Sequence, residues 1–270
     1  MKKVFYIVFV IFLSFLSCEK VIDVDLATTE PKLVIEASIE WWADTPGNEQ
    51  TIKLSTTTDY FNDTIPPATN AVVTINTNTQ SFVFLEEEPG IYRCHNFIPV
   101  VGESYTLTII YDDETYSATE KLLETPLITR VEQKDDGGIL GGDIEVKFFF
   151  DDIPNETNHY LLKIKDPYKV IPEYGVQEDR FFQNNEMFSL YFSDDLQVGD
   201  TLTFTLNSIT QHYYNYMNIL LTQTGSSGAG PFGTPTATTR GNVINQTNFN
   251  NFALGYFRLS KTENEAYIIQ

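Results

Sequence analysis

The sequence predicts an all-β protein: two tandem Ig-like or fibronectin-like β-sandwich domains, with one short helix in the second. Three observations predict it. Short runs rich in β-forming residues recur along the chain, separated by Pro, Gly, Asn and Asp. Two of those runs echo each other: VGESYTLTI at residues 101–109 and VGDTLTFTL at residues 198–206. A single later stretch carries helical spacing instead, with Ile209, Tyr213, Tyr216, Met217, Leu220 and Leu221 on one face.

In chain order, residues 1–17 read as a secretory signal. Lys2 and Lys3 are its basic start, and residues 4–16 are apolar apart from Ser14. A membrane span needs ~20 apolar residues, so this run is short for one. It ends Phe15-Leu16-Ser17-Cys18, which resembles the bacterial lipobox. That pattern implies cleavage after Ser17 and acylation of Cys18. Each buried acyl CH₂ is worth ~0.8 kcal/mol, and several chains together anchor stably.

Residues 18–31 form a tether. The N-terminal sandwich then covers residues 32–126, with strand signals in KLVIEASIEW, TIKLSTTTDYF, AVVTINTN, SFVFLEE, GIYRCHNF, SYTLTIIY and TYSATEKLL. Residues 127–270 form the C-terminal sandwich. Its strand signals are LITRVEQK, DIEVKFFFDD, HYLLKIKDPY, MFSLYFSDD, TLTFTLNSI and FALGYFRLS. The helix is expected near residues 209–223, capped by Ser208 with Gln211 three residues on, and Gly225 is a fit stop. The loop at 224–242, rich in Gly, Ser, Thr and Pro, is long enough to suggest a functional role.

Bulk charge narrows the function. The chain carries 17 basic and 37 acidic residues, a net −20. Such a surface argues against nucleic acid, whose phosphates need basic partners, and against electrostatic contact with a membrane. The expected membrane contact is the lipid on Cys18. With Cys18 acylated, Cys94 is left alone and no internal disulfide is expected.

Enzyme chemistry finds little support. His95, His159 and His212 lie in no close metal-binding spacing. Neighbouring strand residues face opposite ways, so Cys94 and His95 cannot act as a pair. The acidic pairs fall mostly at strand ends, where Asp serves turns. No catalytic residue, metal or cofactor is expected. For binding, Trp41 and Trp42 stand out, because adjacent strand positions cannot enter one core. One indole is then packed under the loop at 43–50, or free to meet a ligand or partner. Phe232, in the long loop, is the third contact candidate. Asp63-Thr64-Ile65 and Asp200-Thr201-Leu202 resemble a short O-glycosylation motif of Bacteroidota, with Thr64 and Thr201 as acceptors.

CEKVIDVDL, PKLVIEASI, VGESYTLTI, GNVIN and LGYFRLS together resemble the domain-of-unknown-function 4249 family of Bacteroidota outer-membrane lipoproteins. The resemblance runs over nearly the whole mature chain. It implies an accessory or binding protein anchored in the outer membrane, with outward display one option. It also implies a TonB-dependent outer-membrane receptor as partner in cargo capture or uptake. The alternative expectation is an adhesin or scaffold of Ig-like modules with no transporter.

Overall fold

The computed structural model describes residues 30–59, 62–224 and 239–270. Strands dominate, because the apolar residues alternate along the sequence. In β1 (Leu33–Trp42), Leu33, Ile35, Ala37 and Ile39 are buried while Glu36 and Ser38 face out. The same period of two runs through β2 (Gln50–Thr56), β3 (Val72–Asn76), β4 (Ser81–Glu88), β5 (Ile91–Cys94), β6 (Ser104–Tyr111) and β7 (Glu114–Lys121). Their inward faces build one core around Ile35, Tyr92, Tyr105 and Phe97.

The second half supplies β8 (Ile128–Gly137), β9 (Asp143–Asp151), β10 (His159–Lys165), β11 (Glu173–Glu178), β12 (Glu186–Ser193) and β13 (Thr201–Ile209). Then come α1 (Gln211–Gln223), the two-residue β14 (Ile244–Asn245) and β15 (Leu254–Ile268). The sheet β12-β9-β8 packs on β11-β10-β13-β15 over a second core. Phe148 stacks on Phe204 there at 4.6 Å. A third cluster seats α1 through Tyr213 and Met217 on Leu161, Ile209 and Tyr256.

The repeated motif has one local geometry in both halves. Gly102 and Gly199 have φ of +83° and +94°. Each donates its N–H at 2.8 Å to the residue just after a neighbouring strand, Gly102 to Leu122 O and Gly199 to Ile269 O. The buried sets Tyr105, Leu107, Ile109 and Leu202, Phe204, Leu206 then follow at equal offsets.

Three differences from the sequence expectation have physical causes. First, the chain's last stretch does not stay in the second half. Val243, Ala253, Phe257 and Leu259 pack into the first core, and β15 pairs in parallel with β1 from Val34↔Leu254 to Trp42↔Thr262. From Thr262 onward the same strand pairs antiparallel with β13. Pro31–Gln270 accordingly clusters as one compact unit. A parallel pair joins sequence-distant segments, so no local pattern announces it. Second, β15 is 15 residues long, about 50 Å at ~3.3 Å per residue. Its polar part, KTENEA, is held as strand by β13. Third, Ser208 is not a helix cap. It belongs to β13, opposite Tyr160, and the cap is Thr210, whose hydroxyl accepts from Tyr213 N–H at 3.3 Å.

β15 and β1 approach closely at Gly255, whose φ is +87°. A Cβ there would lie 2.0 Å from the Ile35 carbonyl oxygen. Only glycine fits both the angle and the space.

Candidate functional site

The end of β13, the start of β10 and the first residue of α1 meet beside the linker between the halves. They leave a cleft of about 470 Å³ lined by Leu123, Glu124, Ile153, His159, Ser208 and Gln211, among others. This volume lies in the range of small-molecule sites.

Local structure fixes each wall. Thr125 Oγ donates to Lys261 O at 2.6 Å and accepts from Ser208 N–H at 2.8 Å, so the linker is pinned to both β15 and β13. Asn158 donates through Nδ2 to Ile153 O at 2.7 Å and to Glu156 O at 3.2 Å. Its backbone N–H reaches the buried Asp179 carboxylate at 2.8 Å. The 153–158 loop is therefore closed on itself through Asn158 and tied to Asp179. Glu124 is engaged by Lys261 Nζ at 3.0 Å.

Two groups stand out chemically. Ser208 is buried, and its Oγ has no hydrogen-bond partner among the described residues. A buried hydroxyl left unpaired costs about 1–3 kcal/mol. His159 is also buried, with its ring 4.9 Å from the Tyr214 ring. Burial lowers its pKa, against the pull of Glu178 and Asp179, and favours the neutral imidazole. A neutral imidazole offers one donor and one acceptor. With the Thr210 and Gln211 side chains, the cleft presents mixed donors and acceptors over the apolar residues Leu123, Ile153 and Ile209. Such a lining suits a small polar ligand. Among the described residues no group of three or more His, Cys, Asp or Glu is placed to hold a metal ion.

The residues singled out in the sequence lie elsewhere. Trp41 is half-buried under the loop that follows it: its Nε1–H donates to Thr45 O at 2.8 Å and its ring lies against Gly47. Trp42, on the opposite face, is 37% exposed. Thr64 and Thr201 are both exposed, in a loop and at the start of β13. Cys18 and Phe232 lie outside the described residues. Cys94 is buried with its Sγ 3.2 Å from Asn96 Oδ1. Asp112 and Asp113 form a two-residue hairpin turn with φ of +50° and +59°.

The sequence profile described as "Domain of unknown function (DUF4249)" matches residues 19–265. The chain belongs to this family. No curated protein matches it. Among solved structures, this family member is similar to a two-domain fibronectin type-III segment of chicken tenascin. The identity is 9%, over 67% of this chain and 91% of that one, with a TM-score of 0.23. It is also similar to the FN1–FN3 domains of chicken CNTN1, at 8% identity over 66% and 64% of the two chains, TM-score 0.26. A cytokine receptor complex matches at 9% identity over 68% and 86%, TM-score 0.24.

Proposed function

We propose that this protein is a lipid-anchored accessory of the outer membrane, which holds a small polar cargo in the cleft and works beside a TonB-dependent transporter. The observation that carries the binding role is the cleft itself, with the neutral imidazole of His159 and the Gln211 side chain among its lining groups. Anchoring rests on the leader and Cys18, and the transporter partnership rests on the family resemblance.

The test is purification of the tagged full-length chain from native outer membranes in mild detergent, with proteins and released small molecules identified by mass spectrometry. A TonB-dependent receptor in stoichiometric amount, and a discrete polar small molecule lost in Thr157→Trp, are the expected results. Thr157 is exposed at the cleft, so the indole fills the space without disturbing a core. A partnerless protein with no released ligand overturns the proposal and favours an adhesin.

A further inference from the structure

The strongest unexplained surface lies at the other end of the second sandwich. Strand register brings three loops together there. Gly137↔Asp143 closes the β8–β9 hairpin, and Ser193↔Ile144 sets the exit of β12 beside it. Lys165↔Thr203 sets the exit of β10 beside the start of β13. Across the sandwich, Tyr191 Oη donates to Asp166 Oδ2 at 2.5 Å, and Gln270 N–H donates to Gln133 Oε1 at 3.0 Å.

These loops carry aliphatic side chains at their tips. Ile139 and Leu140 are 85% and 97% exposed, Val170 and Ile171 100% and 74%, and Val198 77%. Scattered apolar residues are ordinary on a surface; a cluster in three adjacent loops marks an interaction site. The loops are also fixed in place. Buried Asp166 accepts from Tyr168 N–H at 2.7 Å, Asp136 Oδ1 accepts from Gly142 N–H at 2.9 Å, and Asp200 Oδ2 accepts from Gln197 N–H at 2.8 Å. Held loops lose little freedom on docking.

Charge decides the occupant. Segments 135–143, 166–172 and 194–200 carry seven aspartates against one lysine, with exposed Lys134 and Lys165 just outside their borders. The lysine within them, Lys169, is paired with Glu173 at 3.1 Å. Of the aspartates, Asp135, Asp136, Asp194 and Asp195 are exposed around the tips. An acidic rim repels an anionic lipid surface and a second copy of this acidic chain. An apolar centre with a charged rim is the anatomy of a protein interface.

We infer that this loop end docks a partner protein, through an apolar patch on that partner ringed by lysine and arginine. The inference does not depend on cargo in the cleft. The surface is also remote from where the chain enters its first strand, since Val34 pairs with Leu254 at the opposite end of β15.

The test places a photo-crosslinking benzoylphenylalanine at Leu140, at Val170, or at Val83 on the first sandwich as control, in the full chain in its native membrane. The first two positions are expected to yield adducts with the same single protein. The mapped partner peptide should hold apolar residues beside Lys or Arg. Ile139→Asp should lower the Val170 adduct about tenfold or more, as loss of a central contact does. Ile139 is too exposed for its replacement to unfold the protein. Adducts with lipid, adducts with a second copy, or labelling no different from Val83 overturn the inference. Loss of cargo with this adduct intact affects only the cleft reading.

Discussion

Replacing Glu40 by alanine tests the joint between the two halves. Glu40 on β1 pairs through Oε1 with Arg258 Nη2 on β15. The arginine is 8% exposed, and its Nε has no partner among the described residues. Its remaining contacts are Ser260 Oγ at 3.3 Å and the face of Tyr213 at 5.4 Å. Alanine at position 40 keeps the backbone bonds to Gln50 and removes the carboxylate that pairs with this guanidinium. Breaking a buried pair from one side costs about 3–5 kcal/mol, because a charge is left uncompensated. The Glu40 side chain is 25% exposed, so water reaches part of the gap and the lower end, about 3 kcal/mol, is expected. In a body of this size that is roughly a 6–12 °C loss in Tm. Urea unfolding followed by circular dichroism gives the midpoint, with the slope expected to be unchanged. Glu40→Leu combined with Arg258→Met should return to within about 1 kcal/mol of the parent, since apolar replacement of a buried pair is often neutral. A cost below about 1 kcal/mol for Glu40→Ala would refute the buried-pair reasoning.

Two further tests address other elements. Gly255→Ala places a Cβ against Ile35 O at a left-handed angle, so the β1–β15 pairing must shift. The left-handed angle alone costs about 1–2 kcal/mol, and hydrogen exchange should quicken along both strands; unchanged protection there would contradict the close approach. His95 Nε2 lies 2.6 Å from Glu87 Oε1, with Glu49 on Nδ1, and these two carboxylates raise its pKa, Glu87 most. The stabilisation is fully present below the unfolded histidine's ~6.5 and is lost as pH rises through the higher folded value. An NMR titration of the imidazole should therefore fall back toward the ordinary value in Glu49→Gln/Glu87→Gln, and an unmoved midpoint would dismiss the two bonds.

Much of the strand content was legible because one face of each strand is buried. KLVIEASIEW alternates apolar and polar residues for that reason, and β1 follows. The motif shared by β6 and β13 likewise showed its turn and its buried face in sequence. By contrast, β11 was not apparent. Its residues, EYGVQE, hold glycine and little apolar alternation, and pairing with β10 makes them a strand. The cleft was invisible for a related reason. Ser208 read as a helix cap and His159 as a lone histidine, and only the β10–β13 pairing, with His159 opposite Ile209 and Ser208 opposite Tyr160, brings their backbones to one end of the sheet.

The sequence by itself determined the all-β class, the acidic composition and the helix on its tyrosine face. Each is a local property, written in composition or in a period of two or 3.6 residues. Tertiary structure alone decided three things: that β15 returns to β1, that the linker closes a cleft against β10 and β13, and that Leu140, Val170 and Val198 share one end. Those depend on contacts between residues tens to hundreds of positions apart. Such contacts are selected by the packing of whole sheets, and no short stretch of chain records them.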